Sequence, residues 1–480
     1  VGQLRWRQLE SLLMFCKPRH LLALVMLLVV AAIVISEPID SDAVDRLCFP
    51  EKHKSSRRSC ECTGESAPPW GLPSVHIDCS YKFFKSEDFG DEKLPLYVDR
   101  MDMSWNSLDR MPLLTSSSLR MLNMMHNNIS SLASKNFANA ASLHELYFSW
   151  NSIQVIESGA FDGLAELQVL DLSHNNLQVL QLHVFAPLQK LKLLSLSWNR
   201  QLNQTEGIAE LNFYDTFGIS NKLHSLKLEA CSLRDVVLPE RAELVELNLR
   251  HNIMTQVPPR QLPTTLKKLD LSENLFTVLR SVDTAHFGSV QKLLLEDMPH
   301  LLAVEENAFV PLQSLEEVSF QNSRRLRTFD ELAFGPNPVQ LPLISMIFRG
   351  TSVRSFNTTL APVFNNLTDL DLNGVALNCD CDLIWVKELS LETHGRCFHP
   401  SRLRGMLLSE APVGDFSCEA YPRWVYGIIV LLLMCLCAAG ICGIVVGLRP
   451  HRRVAMRKKV GLGSPYARVT IEPNANENFY

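Results

Sequence analysis

The sequence has little net charge of either sign, with 46 Lys and Arg against 51 Asp and Glu. No overall field therefore favours nucleic acid as a partner. Catalytic motifs are also missing: no nucleophile elbow, phosphate-binding loop or metal-spaced His/Glu set occurs, and the 14 histidines are scattered. The pair His144-Glu145 lacks the second histidine of a metalloprotease helix. These absences predict that the protein is not an enzyme and uses no cofactor.

What the sequence does contain is a repeat. The segment 167–180, LQVLDLSHNNLQVL, has the form L-x-x-L-x-L-x-x-N-x-L of a leucine-rich repeat. Its central leucines predict a short strand with alternate side chains buried, and Asn175 predicts a turn whose backbone groups its amide can bond. One such unit cannot bury its own apolar face, so it needs stacked copies. The same frame starts at Val98, Leu119, Leu143, Leu167, Leu191, Leu223, Leu244, Leu266, Val290, Leu315, Leu343 and Leu367.

Two residue columns accompany these starts. The asparagine column comprises Asn106, Asn127, Asn151, Asn175, Asn199, Asn252 and Asn274, with Cys231 as a known substitute and Met298, Ser323, Thr351 and Val375 in the degenerate last repeats. The second column, expected to stack inside the convex side, comprises Phe137, Phe161, Phe185, Phe287, Phe309 and Phe334. The sequence therefore predicts an α/β-type solenoid, a leucine-rich repeat horseshoe of about twelve repeats over residues 98–377.

One stretch within the array resembles a calcium loop. Residues 369–374 open with D-x-D-x-N-G, and Asp380 stands at the twelfth position. A repeat strand, however, places Asp369 and Asp371 side by side on one face and cannot wrap a cation. The twelfth residue is also not the usual bidentate Glu. We interpret the match as coincidence and expect no metal.

The N-terminus is expected to enter the secretory pathway. Basic residues precede the apolar run 21–35, and Ser36-Glu37 offers a cleavage point, so residues 1–36 are interpreted as a signal peptide. The alternative is an uncleaved anchor helix, although the run is short for a full span. The sequence begins with Val1, which leaves open whether the natural start lies upstream.

Cysteines cluster at both ends of the array. Before it, within the interval 37–97, stand Cys48, Cys60, Cys62 and Cys79; after it, within 378–418, stand Cys379, Cys381, Cys397 and Cys418. Four cysteines allow three pairings, and a disulfide-tied cap would cover the exposed end of a repeat core. Trp385 is suited to closing the C-terminal end. A zinc site is the rival for the first cluster, although zinc knuckles usually use C-x2-C.

These features resemble the extracellular leucine-rich repeat proteins that have cysteine-rich caps at both ends. Toll-like receptor ectodomains, Slit-type proteins and insect repeat-bearing adhesion receptors belong to this group, and the resemblance covers about residues 48–418. In that family the first cysteine of each cap pairs with the third and the second with the fourth. The resemblance thus implies Cys48–Cys62, Cys60–Cys79, Cys379–Cys397 and Cys381–Cys418. It implies no ligand, and no Toll-type cytoplasmic domain follows.

A short juxtamembrane segment, 419–423, leads to an apolar stretch, 424–448, that is long enough to cross a bilayer. Basic residues follow it, so the tail 449–480 is predicted to be cytoplasmic and the protein to be a single-pass type I plasma-membrane protein. Ala439, Gly443 and Gly447 could form a helix-dimer face, or could simply fill the span.

The tail is too short for a sizeable signalling domain. Tyr466-Ala-Arg-Val469 resembles a tyrosine-based sorting or phosphotyrosine motif, although four-residue matches are common. The terminal Asn-Phe-Tyr480 could add to a PDZ groove, although Asn478 is not the usual residue two places before the end. Glycosylation acceptors occur at Asn128, Asn203, Asn357 and Asn366, with Asn203 in an insertion at 203–222.

A candidate surface follows from the slot just before each asparagine, where bulky residues recur. We predict partner binding by this row and neighbouring strand residues: Trp105, His126, Tyr147, Trp150, His174, Trp198, Lys227, Arg250 and His251. The alternative is that these rings only pack on one another and shield the turn. Two functional hypotheses remain: a receptor, co-receptor or adhesion molecule that binds a protein, itself included, or a membrane-tethered modulator that captures a soluble ligand or pathogen molecule.

Overall fold

The computed structural model describes residues 48, 59–65, 74–89, 98–112, 118–137, 139–202, 213–257, 262–337, 341–389, 391–416 and 423–447. The predicted signal peptide, Asn203, Cys418 and the tail with Tyr466 and Val469 lie outside these residues. The chain divides into two units, residues 1–417 and 418–480.

Short strands dominate the first unit. They are β1 Glu61–Glu65, β2 Ser74–Asp78, β3 Val98–Asp102, β4 Met121–Asn123, β5 Ser131–Leu132, β6 Glu145–Tyr147, β7 Val155–Ile156, β8 Val169–Asp171, β9 Val179–Leu180, β10 Leu193–Ser195, β11 Ser225–Lys227, β12 Glu246–Asn248, β13 Lys268–Asp270, β14 Val278–Leu279, β15 Lys292–Leu294, β16 Ala303–Val304, β17 Glu317–Ser319, β18 Thr328–Phe329, β19 Ser345–Ile347, β20 Asp369–Asp371, β21 Ala376–Asn378 and β22 Arg396–His399.

Helices are few among the described residues. The α-helices are α1 Phe213–Phe217, α2 Ser281–Thr284, α3 Ala361–Phe364, α4 Ile384–Glu388 and α5 Arg423–Gly447, with 3-10 turns at Ser86–Asp88, Thr358–Leu360, Ser401–Leu403 and Val413–Asp415.

The described residues form one long sheet of 14 strands in the order β1-β2-β3-β4-β6-β8-β10-β11-β12-β13-β15-β17-β19-β20. The strands from β3 onward correspond one to one with the twelve repeat starts in the sequence. They run parallel in constant register, for example Leu146 opposite Leu170 and Leu170 opposite Leu194. Twelve stacked repeats are thus confirmed, and the exposed side of this sheet is called the concave face below.

The opposite side differs from the α/β-type expectation. Instead of regular helices, the convex segments contain turns and two-residue strands, such as β5-β7-β9 and β14-β16-β18. A repeat of about 24 residues, after its strand and asparagine turn, leaves too few residues for a long helix. The predicted phenylalanine column is buried there, with Phe137 and Phe161 stacked at 6.5 Å and Phe161 and Phe185 at 5.8 Å.

The asparagines of the column hydrogen-bond each repeat to its neighbour, and four of them, Asn175, Asn199, Asn252 and Asn274, are buried. Asn175 is typical: its Nδ2 donates to the carbonyls of Phe148, Leu172 and Ser173 at 2.9–3.1 Å. Its Oδ1 accepts the backbone N–H of Ile153 at 2.9 Å, so the side chain links two repeats. Ser323 and Cys231 serve the same slot, since Ser323 Oγ donates to Leu295 O at 2.8 Å and Cys231 Sγ to Leu196 O at 3.2 Å.

Disulfide-linked segments cover both ends of the array. Cys48 is bonded to Cys62, Cys60 to Cys79, and Cys379 to Cys397, as the family resemblance implied. Cys381 is also disulfide-bonded, while its expected partner lies outside the described residues. At the C-terminal end Trp385 is buried against Phe364, and its indole N–H donates to Phe356 O at 3.0 Å.

Helix α5, in the second unit, occupies the segment that the sequence predicted to span a membrane. Its side chains are described over 425–441 and are apolar and mostly exposed. Within the described part of the chain, no helix reaches the length and apolarity that crossing a membrane would need.

Candidate partner-binding surface

A left-handed backbone residue precedes each turn at the end of a repeat strand. Its φ is 55° at Trp105, 52° at His126, 59° at Trp150, 51° at His174 and 63° at Trp198. This conformation costs a non-glycine residue roughly 1–2 kcal/mol. The N–H of each residue bonds to the next repeat, for example Trp150 N to Ser173 O at 3.1 Å, which holds the turn in place. A side chain in this slot therefore projects from a rigid backbone.

Seven rings in this slot stack into one continuous row, which we call the ring ladder: Tyr81, Trp105, His126, Trp150, His174, Trp198 and His251. Successive centroids are 3.7–5.6 Å apart and the planes are within 18° of parallel. Tyr81, which precedes Trp105 by 24 residues, was not predicted, although that spacing is the repeat length and could have revealed it.

The rings pack on one another, as the packing alternative expected, yet the ladder is not buried. Trp105 is 46% and Trp150 is 50% exposed. Because their faces contact other rings, they present their edges to solvent. Ring edges carry positive partial charge, and the indole N–H adds a donor that no described residue accepts in Trp105, Trp150 or Trp198. The ladder can therefore both stack and offer donors to a partner.

Two histidines of the ladder, His126 and His174, are shifted toward the neutral form. Desolvation by the flanking rings lowers the pKa of His126, and desolvation likewise dominates the lowered pKa of His174. Neutral imidazoles stack on indoles without bringing net charge. The middle of the ladder is thus an uncharged aromatic strip at neutral pH.

In one repeat the ladder slot holds Ala230, which has no ring. The rings of Trp198 and His251, on either side of it, still stack with their centroids 5.6 Å apart. Beside the gap lies a pocket of about 470 Å³. It is lined by Arg200, Ala230, Ser232, His251, Asn252, Ile253, Glu273, Leu275, Asp297 and Pro299. The guanidinium of Arg200, another residue missed in the sequence, lies 5.1 Å from the Trp198 ring centre.

Arg250 and His251 are held by acidic neighbours. Arg250 contacts Glu273 at 2.6 Å and Asp297 at 3.2 Å, and His251 Nδ1 lies 2.5 Å from Glu273 Oε2. Burial opposes the charge of Arg250, but its bond and attraction to Glu273 prevail and raise its pKa. Through these ion pairs the Arg250 side chain links three successive repeats.

Tyr147 and Lys227 lie on the concave face. Tyr147 donates its hydroxyl to Glu145 at 2.9 Å, and burial, followed by this bond, raises the pKa of Tyr147 to about 12. Lys227 lies opposite Ser195 in the sheet and forms no ion pair with any described residue. The structure thus brings the nine predicted binding residues onto the concave face and its adjoining edge; their role in binding stays a prediction.

The remaining site predictions lie elsewhere. Asn128, Asn357 and Asn366 are exposed, and Asn128 Oδ1 accepts the Ser152 hydroxyl at 3.3 Å on the flank of the ladder. The calcium-like residues lie in β20, where Asp369 accepts from Ser345 and Asp371 pairs with Arg349. Across the described ranges, no group of three or more His, Cys, Asp or Glu is placed to hold a metal ion.

Residues 117–177 and 141–200 match the family described as "Leucine rich repeat". Over 161 residues the chain is 30% identical to "Leucine-rich repeat and fibronectin type-III domain-containing protein 4" of Rattus norvegicus, and equally to that of Mus musculus. The aligned part is 32% of this chain, and the chain spans about a fifth (21%) of the length of these relatives.

Among solved structures, the chain resembles the mouse RP105/MD-1 complex, with a TM-score of 0.54 and 21% identity over 66% of this chain and 54% of that chain. This likeness shows the fold: the protein is a leucine-rich repeat solenoid.

Proposed function

We propose that this leucine-rich repeat protein is a cell-surface receptor, co-receptor or adhesion molecule that binds a protein partner non-enzymatically. The observation that carries the proposal is the ring ladder, an exposed aromatic strip along one edge of the concave face. Aromatic side chains are enriched where proteins bind each other, and rings already fixed by stacking lose little conformational entropy on binding. The 30% identical relatives, themselves repeat proteins with fibronectin domains by name, are compatible with this role.

Location at the plasma membrane is a further part of the proposal. It rests on the apolar stretch 424–448, the basic residues after it, the signal peptide predicted over residues 1–36, and the caps with disulfides, which persist in oxidising compartments. The ectodomain would carry N-glycans on Asn128, Asn203, Asn357 and Asn366. The tail 449–480 would be cytoplasmic, with Tyr466 and Val469 in a sorting or phosphotyrosine motif. The small residues Ala439, Gly443 and Gly447 would form a helix-dimer face.

A binding screen tests the partner role. Cells displaying the full chain are probed with a library of secreted and cell-surface proteins and with cells displaying the same chain. Trp150→Ala and Trp198→Ala each remove a ladder ring. The matched control is Leu182→Ala, because Leu182 is 69% exposed and lies outside the ladder.

We expect a specific partner whose binding weakens about tenfold or more in the ladder variants and is unchanged in the control. Self-binding would identify homophilic adhesion. A partner indifferent to both ladder variants would refute the assigned surface, and the absence of any partner would refute the role.

The alternative is a tethered modulator that captures a soluble or pathogen molecule. Unlike a signalling receptor, it would not need the cytoplasmic tail for its function. Deleting residues 460–480 should abolish any response in the expressing cell if the protein is a signalling receptor. Full function after that deletion, with capture of ligand intact, would favour the modulator.

A further inference from the structure

The pocket beside Ala230 lies where one residue column of the repeats changes from polar to apolar. In the earlier repeats the position after the asparagine slot is polar, and its residues are Ser107, Asn128, Ser152, Asn176, Arg200 and Ser232. In the next three repeats the same position holds Ile253, Leu275 and Pro299, which all line the pocket and which we call the apolar strip. Ile253 is 39% exposed. Apolar surface therefore faces solvent where the other repeats present a polar residue.

The ladder slot changes over the same repeats. After His251 its left-handed position holds Glu273 and Asp297 instead of rings, with φ of 56° and 51°. Both residues line the pocket, and Ala230 contributes only a methyl group to it. The pocket thus combines the apolar strip with the last ladder ring and two carboxylates.

Two polar groups of the pocket have hydrogen-bonding capacity left. Asp297 Oδ2 lies 3.2 Å from Arg250 Nη2, whereas Asp297 Oδ1 accepts no hydrogen bond from a described residue. The Arg200 guanidinium likewise donates to no described residue. Glu273, by contrast, is engaged by both Arg250 and His251. The pocket therefore offers a ligand one acceptor group and one donor group.

The mixed charges of the pocket decide which side chain suits it. A lysine head would meet Arg200 as well as the carboxylates, and a glutamate head would meet Asp297 and Glu273 as well as Arg200. A neutral ring avoids both repulsions and removes the apolar surface of Ile253 and Leu275 from water. A phenol hydroxyl can also donate to Asp297 or accept from Arg200, because a hydroxyl does both. Tyrosine therefore suits the pocket better than a charged or a purely apolar side chain.

We propose that this pocket receives a tyrosine side chain of the protein partner. The inference rests on the proposed function and specifies the anchor residue of that partner. The tyrosine ring packs on the apolar strip, next to His251 at the end of the ladder, so that one segment of the partner contacts both. Tyrosine is among the residues that carry most of the binding energy at protein interfaces, and it does so from desolvated pockets.

The test uses the purified full chain in detergent and four peptides, Gly-Ser-X-Ser-Gly, in which X is Tyr, Phe, Lys or Glu. Binding is titrated by saturation-transfer NMR at millimolar peptide. Ala230→Trp adds a ring that obstructs the pocket, and Ile253→Ser introduces the residue type that several other repeats have at that position. The matched controls are His183→Trp, at another exposed left-handed residue, and Leu182→Ser, both outside the pocket. Thermal unfolding verifies that all four variants fold.

We expect the Tyr peptide to bind, and the Phe peptide to bind about threefold to tenfold more weakly because it lacks the hydroxyl. The Lys and Glu peptides should bind more weakly still. Ile253→Ser should weaken binding of the Tyr peptide, Ala230→Trp should weaken it at least about tenfold, and the controls should leave it unchanged.

Three results would overturn the inference: no binding of the Tyr peptide, equal or tighter binding of another peptide, or unchanged binding in a folded pocket variant. If one of these occurs while the cell-surface screen yields a partner sensitive to Trp150→Ala, the inference fails and the proposed function stands.

Discussion

The asparagine network allows a quantitative prediction at Asn175. This side chain is 4% exposed and takes part in four hydrogen bonds across two repeats. In Asn175→Ala the buried N–H of Ile153 loses its acceptor. The carbonyl of Phe148 keeps another donor, Asn151 Nδ2 at 3.0 Å, and that of Leu172 keeps Asn199 Nδ2 at 3.0 Å.

The cost can be estimated from these contacts. A buried, unpaired N–H costs roughly 1–3 kcal/mol, and each weakened bond to a carbonyl about 0.5–1 kcal/mol. With one unpaired N–H and three weakened bonds to carbonyls, we expect Asn175→Ala to lower the free energy of unfolding by about 2.5–6 kcal/mol. Asn175→Cys should cost less, because the thiol of Cys231 serves this slot elsewhere with a bond to Leu196 O.

The assay is equilibrium denaturation of the full chain in detergent, followed by tryptophan fluorescence. Asn176→Ala is the matched control, since Asn176 is the adjacent residue and its side chain is exposed. The control should change the free energy by less than about 0.5 kcal/mol. A difference of under about 1 kcal/mol between Asn175→Ala and Asn176→Ala would refute the argument that this column holds the repeats together.

Three further predictions concern the core and the titratable groups. Phe161→Ala, which empties part of the convex phenylalanine column, should cost about 3–5 kcal/mol by denaturation, and a loss below about 1 kcal/mol would contradict that column's role. Burial raises the pKa of the Cys231 thiol to about 12, so alkylating reagents should modify it only after unfolding; peptide mapping that finds it modified in the native chain would be contrary evidence. The lowered pKa of Glu246 means that its bond to Lys268 stabilises the fold above pH 4.5 and is lost as the pH falls through the folded-state value; Glu246→Gln should flatten this part of the acid-stability curve, and an unchanged curve would exclude the linkage.

Much of the fold was predictable because the repeat period ties sequence position to position in space. The repeat spacing placed the twelve strands of the long sheet from β3 to β20, and the asparagine column marked the turns. Cys231 was recognisable as a substitute because it stands in the same frame. The convex side was less predictable, since turns and two-residue strands leave no periodic signal of their own.

The candidate surface could be predicted only in part, because the repeat frame gives the position of a residue but not the contacts of its side chain. The frame aligned Trp105, Trp150 and Trp198, but it could not decide whether their rings would stack, and the structure shows both stacking and exposed edges. Ion pairing could not be predicted from the sequence either: Lys268 meets Glu246 at 2.7 Å because the neighbouring repeat places that carboxylate opposite it in the sheet. Arg200 was missed because it stands outside the repeat consensus.

The most direct test of partner binding by the ladder is oxidative footprinting of tryptophans in the full chain, with and without the partner found in the screen. Free chain should be oxidised at Trp105 and Trp150, while buried Trp385 serves as an internal reference. The account predicts that partner binding protects Trp105, Trp150 and Trp198 together. Full oxidation of all three in the saturated complex would contradict it.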